Sequence, residues 1–133
     1  MDNKLKLYIV RHGQTEWNVL EKFQGQLNSP LTPKGIKKIE KTASELKNIK
    51  FEAVYTSELG RTISTAEIIL QNNNFEKIKN KNEKLILHKL SELNEINFGK
   101  WQGMNFKEIF IKYPEEAHNY FYDVKNYTAK NIK

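Results

Sequence analysis

Apolar positions along this chain gather into short stretches with two distinct periods. Leu5 to Val10 is a continuous apolar run broken only by Lys6 and ended by Arg11-His12-Gly13, the pattern of a strand buried in a parallel sheet. After a polar loop through Ser29 and Pro30, Ile36, Ile39, Ala43 and Leu46 recur at helical spacing. Thr32 is the N-cap candidate and Pro33 fits the first helical position, which predicts a helix over about 33–47. Ala53 to Thr56 is a short β-prone segment. Ile63, Ala66, Ile69 and Leu70 then share one face of a helix predicted from Arg61 to about Leu70. Gln71 to Lys84 is polar and rich in Asn and Lys, which predicts a loop without chemistry, and Leu85 to Leu87 predicts a third strand. Leu90 to Gly103 reads as irregular. Asn105 with Glu108 forms a capping-box pattern ahead of Phe106, Ile109, Phe110 and Tyr113. Pro114 closes that helix and opens another, whose stripe is Ala117, Tyr120, Phe121 and Val124. Strand and helix alternate, so the predicted fold is α/β: a three-layer sandwich with a mostly parallel central sheet flanked by helices and right-handed crossovers.

Length and composition narrow the class. A chain of 133 residues is the size of one domain and buries roughly two thirds of its unfolded surface, enough for a real core. Cysteine is absent, so a disulfide framework and a thiolate metal site are excluded, which is compatible with a cytoplasmic location. The run Leu7–Val10 is too short for a signal-peptide core or a membrane span, so no membrane association is expected. The net charge of +6 raises nucleic acid as a partner, but the lysines are scattered. Lys37, Lys38 and Lys41 fall on the polar side of a helix, and Lys77, Lys79, Lys81 and Lys84 lack aromatic interleaving, so they read as solvated and no nucleic-acid partner is expected.

Against twenty lysines, the chain has only two arginines, Arg11 and Arg61. A composition that supplies cations as Lys by default suggests that each Arg stands where a planar, bidentate fork is needed, and phosphate is the natural ligand for two forks converging on a histidine. A neutral imidazole can attack phosphorus and hold the phosphoryl group, which makes His12 the candidate nucleophile. Neighbouring Arg11 and Arg61 would clasp the phosphate oxygens and depress the His12 pKa. His12 would stand just past the carboxyl end of its strand, where open α/β sheets bind ligands. The bare triplet Arg-His-Gly also fits a structural histidine by chance.

The wider set of motifs is more specific. Arg11-His12-Gly13-Gln14-Thr15-Glu16-Trp17-Asn18 is followed by Gln24-Gly25, Pro30-Leu31-Thr32-Pro33-Lys34-Gly35 and Thr56-Ser57-Glu58-Leu59-Gly60-Arg61-Thr62. Thr65-Ala66-Glu67 and Leu93-Asn94-Glu95-Ile96-Asn97-Phe98-Gly99-Lys100-Trp101-Gln102-Gly103 complete the series. In that order these resemble the histidine phosphatase superfamily, the phosphoglycerate-mutase-like proteins, from about Lys6 onward. The resemblance implies that His12 is the phosphorylated histidine and that Arg11 and Arg61 belong to the phosphate pocket. It implies that Asn18 donates to phosphate, that Gln24 and Gly25 touch the substrate, and that Glu95 is the proton donor to the leaving group. It implies neither a metal ion nor any other cofactor, and a small-molecule phosphomonoester as partner. Read from the residues alone, Glu95 competes with Glu92 and Glu16, and the flanking Ile96 and Phe98 suggest a semi-apolar setting for it. Ser57 reads as a cap for the helix carrying Arg61 or as a substrate contact. Trp17 and Trp101 read as pocket wall or core, and Tyr120, Phe121 and Tyr122 as packing.

The family pattern has a second catalytic histidine followed by Gly in a later strand. Neither His88 nor His118 has that Gly, and both read as exposed or structural. The expectation is therefore a single domain over 1–133 that corresponds to the N-terminal two thirds of the family domain, incomplete at its C-terminal side, with Lys125–Lys133 resembling a linker. Its expected consequences are doubtful turnover in this length of chain and self-association through the incomplete sheet edge. The expected function is a metal-independent phosphomonoesterase acting through phosphohistidine on small phosphorylated metabolites. Phosphoglycerate mutase and a non-catalytic phosphate-binding fragment are the alternatives.

Overall fold

The computed structural model describes residues 4–127. Helix α1 is a single turn, Glu16–Val19, closed by a capping box between Thr15 and Asn18. Helix α2 (Pro33–Leu46) starts where the sequence predicts: Thr32 Oγ1 accepts from the Gly35 N–H at 3.0 Å, and Pro33 takes the first helical position. Strand β1 (Val54–Thr56) leads through helix α3 (Gly60–Asn72) and the short α4 (Asn74–Lys77) to strand β2 (Leu87–Lys89). The two strands pair in parallel, Val54 opposite Leu87 and Thr56 opposite Lys89, so the helical connection is a crossover. Helices α5 (Phe106–Lys112) and α6 (Pro114–Tyr122) follow, α5 opened by the Asn105–Glu108 capping box and α6 by Pro114. The architecture is mixed α/β, a small parallel sheet flanked by helices. No helix among the described residues is long and apolar enough to cross a membrane.

Two apolar clusters hold these elements. Helices α2 and α3 pack together through Ile39, Ala43 and Ile69, with Leu31, Leu46, Phe51 and Ile68 around them. The second cluster is aromatic: Phe23, Phe98 and Trp101 with Ile109 and Ala117. The Phe23 ring meets Phe98, Trp101, Phe106, Tyr120 and Phe121 edge to face, the arrangement that ring quadrupoles favour. Trp101 is fully buried there, so it is core and not pocket wall, and Tyr120 packs beside it at 5.6 Å between centroids.

The structure departs from several expectations. Leu5–Val10 joins no ladder among the described residues, and its odd-numbered face stands open, with Leu5 84%, Leu7 71% and Ile9 93% exposed. Tyr8 touches Phe51 edge to face, so the other face has a neighbour. A strand is made by hydrogen bonds that a second segment supplies, and apolar composition cannot supply them. Gln71–Lys84 is more than a loop. Asn73, almost wholly buried, accepts from the Phe75 and Glu76 N–H groups through Oδ1 and donates through Nδ2 to the carbonyls of Leu46 and Ile49. Buried Glu76 accepts from Lys79 Nζ at 2.6 Å and from the Leu85 N–H at 2.9 Å, so Lys79 is paired and not merely solvated. The third strand lies two residues later than predicted, and Val124 falls beyond α6 in an exposed turn. The linker expectation for 125–133 lies outside the described residues from 128 onward.

Candidate active site

Chain geometry delivers His12 to the start of α3. The Gly13 N–H donates to Thr65 Oγ1 at 3.1 Å, and that hydroxyl donates to the Arg61 carbonyl at 2.7 Å. The approach at 13 is close, and a Cβ there would require the Ile39 side chain to move. Gly35 is the more constrained, since its Cβ would press into the Gln14 backbone. The imidazole Nδ1 lies 2.7 Å from the Gly13 carbonyl oxygen. A carbonyl only accepts, so Nδ1 carries the proton and Nε2 keeps its lone pair.

The surroundings hold this imidazole toward the neutral form. Burial is the largest cause lowering the His12 pKa; the Gly13 hydrogen bond opposes it, Arg61 and then Arg11 lower it further, and Glu95 raises it. Thus Arg11, Arg61 and Glu95 all lie within electrostatic reach of His12 even though they are spread over 85 positions of sequence. Arg11 itself is exposed.

Arg61 is only 3% exposed. Nη1 donates to the Leu27 carbonyl at 2.7 Å, Nη2 to the Gly25 carbonyl at 2.8 Å, and its backbone N–H to Asn28 Oδ1 at 2.8 Å. Its Nε is buried with no partner. The guanidinium therefore organises the 25–28 loop with the fork that the sequence reading reserved for phosphate, and keeps Nε as an unsatisfied donor. Such an orphaned buried group is costly unless a ligand or water meets it. Burial lowers the Arg61 pKa and Glu95 raises it.

Gly25 adopts φ 53°, in the left-handed region where glycine is unstrained, and a Cβ there would strike the Gln102 side chain. Gln102 Oε1 accepts from the Gln26 N–H at 2.8 Å, and Gln26 Nε2 donates to the Glu95 carbonyl at 3.2 Å. The 24–28 loop thus bridges the helix bearing Arg61 and the segment bearing Glu95. Gln24 is buried and accepts from Ser29 Oγ at 3.0 Å. Asn18 Oδ1 accepts from the Thr15 N–H and hydroxyl, which leaves the NH2 end of its exposed amide as the outward donor.

Two details differ from the sequence reading. Ser57 does not cap α3: the N-cap is Leu59, without a side-chain bond, while Ser57 Oγ accepts from the Leu59 N–H and pairs with Thr62 Oγ1 at 2.5 Å. Glu95 lacks the semi-apolar setting expected of it. It is exposed, Ile96 beside it is exposed, Phe98 turns into the core, and Glu95 Oε1 accepts from the Ile96 N–H. A phenol stands nearby instead: burial raises the Tyr120 pKa and Glu95 raises it further. Thr65, Asn28 and Asn94 escaped the sequence reading as working residues. Asn94 accepts from the Glu58 N–H and donates to the Glu58 carboxylate. Nothing local marks these asparagines, because their partners lie 33 and 36 positions away. His88 stacks on Tyr55 and His118 lies against Tyr122, both exposed.

A half-buried histidine within electrostatic reach of two arginines, its neighbour Gly13 pinned to the helix that begins with Arg61, on a parallel α/β frame, defines a class, and the comparisons agree. The profile of the histidine phosphatase superfamily (branch 1) matches residues 7–132, and the chain belongs to that family. Among curated relatives, phosphoserine phosphatase 1 of Hydrogenobacter thermophilus is 37% identical over 84% of this chain and 48% of its own length. The 2,3-bisphosphoglycerate-dependent phosphoglycerate mutase of Treponema pallidum (strain Nichols) is 37% identical over 84% of this chain and 43% of its own. Among solved structures, Bacillus stearothermophilus YhfR superposes with a TM-score of 0.72 at 32% identity, covering 84% of this chain and 50% of that one. The alpha-ribazole phosphatase of Shigella flexneri gives 0.70 at 29% identity, covering 84% and 50%. The chain spans about half the length of the curated relatives it matches.

Proposed function

We propose that the whole protein to which this chain belongs is a phosphomonoester hydrolase that works through phosphohistidine at His12 on small phosphorylated metabolites. One observation carries the reading: a half-buried imidazole with its pKa lowered and Nε2 free stands within reach of Arg11 and of the buried Arg61, whose Nε lacks a partner. Two of the relatives named above are phosphatases in their own right, which supports hydrolysis as the outcome.

Nε2 of His12 attacks phosphorus while the bond to the leaving oxygen breaks, and Glu95 is the group that gives that oxygen its proton. Arg11 and the Arg61 Nε–H stabilise the charge on the phosphoryl oxygens, and the Asn18 amide is the further donor. Water then attacks the phosphohistidine and loses a proton to the Glu95 carboxylate. The P–N bond breaks, and inorganic phosphate and the neutral imidazole are released. The Nδ1–H bond to Gly13 keeps the ring in the productive tautomer throughout. Gln24 and Gly25 bound the site, and Ser57 orders the turn before Arg61. None of these steps calls for a metal ion or another cofactor.

The mutase relative keeps a second reading open, in which a substrate hydroxyl replaces water as the final acceptor. Incubation with a labelled phosphomonoester should leave acid-labile label on the protein, absent in His12→Ala. Label retained in that variant would overturn the nucleophile assignment. Release of inorganic phosphate against 2-/3-phosphoglycerate interconversion separates hydrolase from mutase. Glu95→Gln should slow an alkyl phosphate by roughly 10²- to 10⁴-fold while sparing an activated aryl phosphate. Equal slowing of both would count against the acid role.

A further inference from the structure

We infer that Asn28 is a positioning residue for the phosphate site, holding Arg61 beside His12 by a reciprocal latch between the 25–28 loop and the first turn of α3. The inference rests on the phosphohistidine reading above for its catalytic meaning and on geometry alone for its existence.

An α-helix begins with N–H groups that no earlier carbonyl accepts, and a side chain at the N-cap normally satisfies one of them. In α3 the N-cap is Leu59, which has nothing to offer, and Ser57 upstream accepts from the Leu59 N–H and so serves the turn before the helix. Asn28 supplies the missing acceptor from 33 positions away: its Oδ1 takes the Arg61 N–H at 2.8 Å. Its amide packs so closely on Gly60 that a Cβ at 60 would lie 2.9 Å from Nδ2. Asn28 therefore occupies the place a capping side chain would take.

The same Arg61 returns the grip. Its Nη1 and Nη2 hold the carbonyls of Leu27 and Gly25, directly before Asn28. Loop and arginine are thus fastened at three points, backbone to side chain in one direction and side chain to backbone in the other. Two consequences follow. The guanidinium plane is fixed by carbonyls whose position Asn28 secures, so the unpartnered Nε keeps one direction. A phosphate oxygen meeting Arg61 would also be read by a group already ordered before binding, which lowers the entropy lost on association. Removing the Asn28 acceptor would loosen the Arg61 backbone and the loop together.

The test uses the protein itself and the His12 ring as reporter. The charged groups acting on His12 are Arg61, Arg11 and Glu95, and none of them is altered in Asn28→Ala. If Asn28 works through Arg61, Asn28→Ala should move the His12 titration, followed by NMR of the ring nitrogens, upward toward the ordinary histidine value. It should also weaken binding of inorganic phosphate by about fivefold, the change that corresponds to about 1 kcal/mol for a lost capping acceptor. Both effects should vanish when Arg61→Ala is already present. A wild-type titration and wild-type phosphate affinity in Asn28→Ala, or equal changes with and without Arg61, would overturn the inference. Should Asn28→Ala not fold, the unaltered protein still decides. Four resolved Nη proton signals for Arg61 are expected from a guanidinium held at both nitrogens, and one averaged signal would overturn the latch. If the unaltered protein binds no phosphate at all, the phosphohistidine reading fails, while the His12 titration still judges Asn28.

Discussion

Burial, aided by Arg61 and Arg11, disfavours the His12 imidazolium in the fold, whereas the unfolded chain leaves that ring at its ordinary 6.5. Below that value the unfolded state takes up a proton that folded His12 resists, so stability is full above it and falls as pH drops toward the lower folded pKa. Glu76 acts in a different window. Burial would raise its pKa, but the hydrogen bonds from Lys79 and Leu85 and the charges of Lys79 and Lys84 prevail and lower it from 4.5. Its stabilisation is present above 4.5 and is lost as pH falls through the folded value. Denaturant midpoints taken from neutral pH downward should therefore decline in two stages. His12→Gln should remove the first stage alone; a first stage that persists in that variant would assign it to another group.

At the scale of elements, the local signals were legible and the distant ones were not. Thr32-Pro33 and the stripe through Ile39 and Ala43 located α2, and Asn105 with Glu108 located α5, because caps and helical periods involve residues within one turn of each other. The motif residues His12, Arg61 and Glu95 were also readable as a set, and the structure brings them within electrostatic reach. What escaped depends on contacts across the chain. Leu5–Val10 has strand composition without a pairing neighbour among the described residues, the Arg61 fork is turned on loop carbonyls, and Asn73 joins the ends of α2 and α3 through bonds spanning 24 and 27 positions. Asn73→Ala removes a cap and two carbonyl partners at once and should cost about 2–4 kcal/mol, read from chemical denaturation. Gly35→Ala forces α2 away from the Gln14 backbone and should destabilise the fold by about 1–3 kcal/mol, with a displaced His12 resonance. An undisturbed His12 signal would separate the α2 contact from the site.

At the scale of the whole molecule, Leu5, Leu7 and Ile9 form an open apolar row immediately upstream of the site. Exposed apolar rows on unpaired backbone associate, so sedimentation velocity of this length of chain should reveal concentration-dependent self-association. Ile9→Lys with Leu7→Lys should suppress it without altering phosphate binding. A monodisperse monomer at all concentrations would contradict the expectation.

The Thr65 hydroxyl, which accepts from Gly13 and donates to the Arg61 carbonyl, acts as a pivot shared by the His12–Gly13 segment and the helix. A shift of α3 along its axis would pass through that pin to residue 13, so the His12 ring and the Arg61 cation would move together. Thr65→Val keeps the shape and removes the pin, and its signature would be a broadened spread of His12 environments in a fold that is otherwise intact.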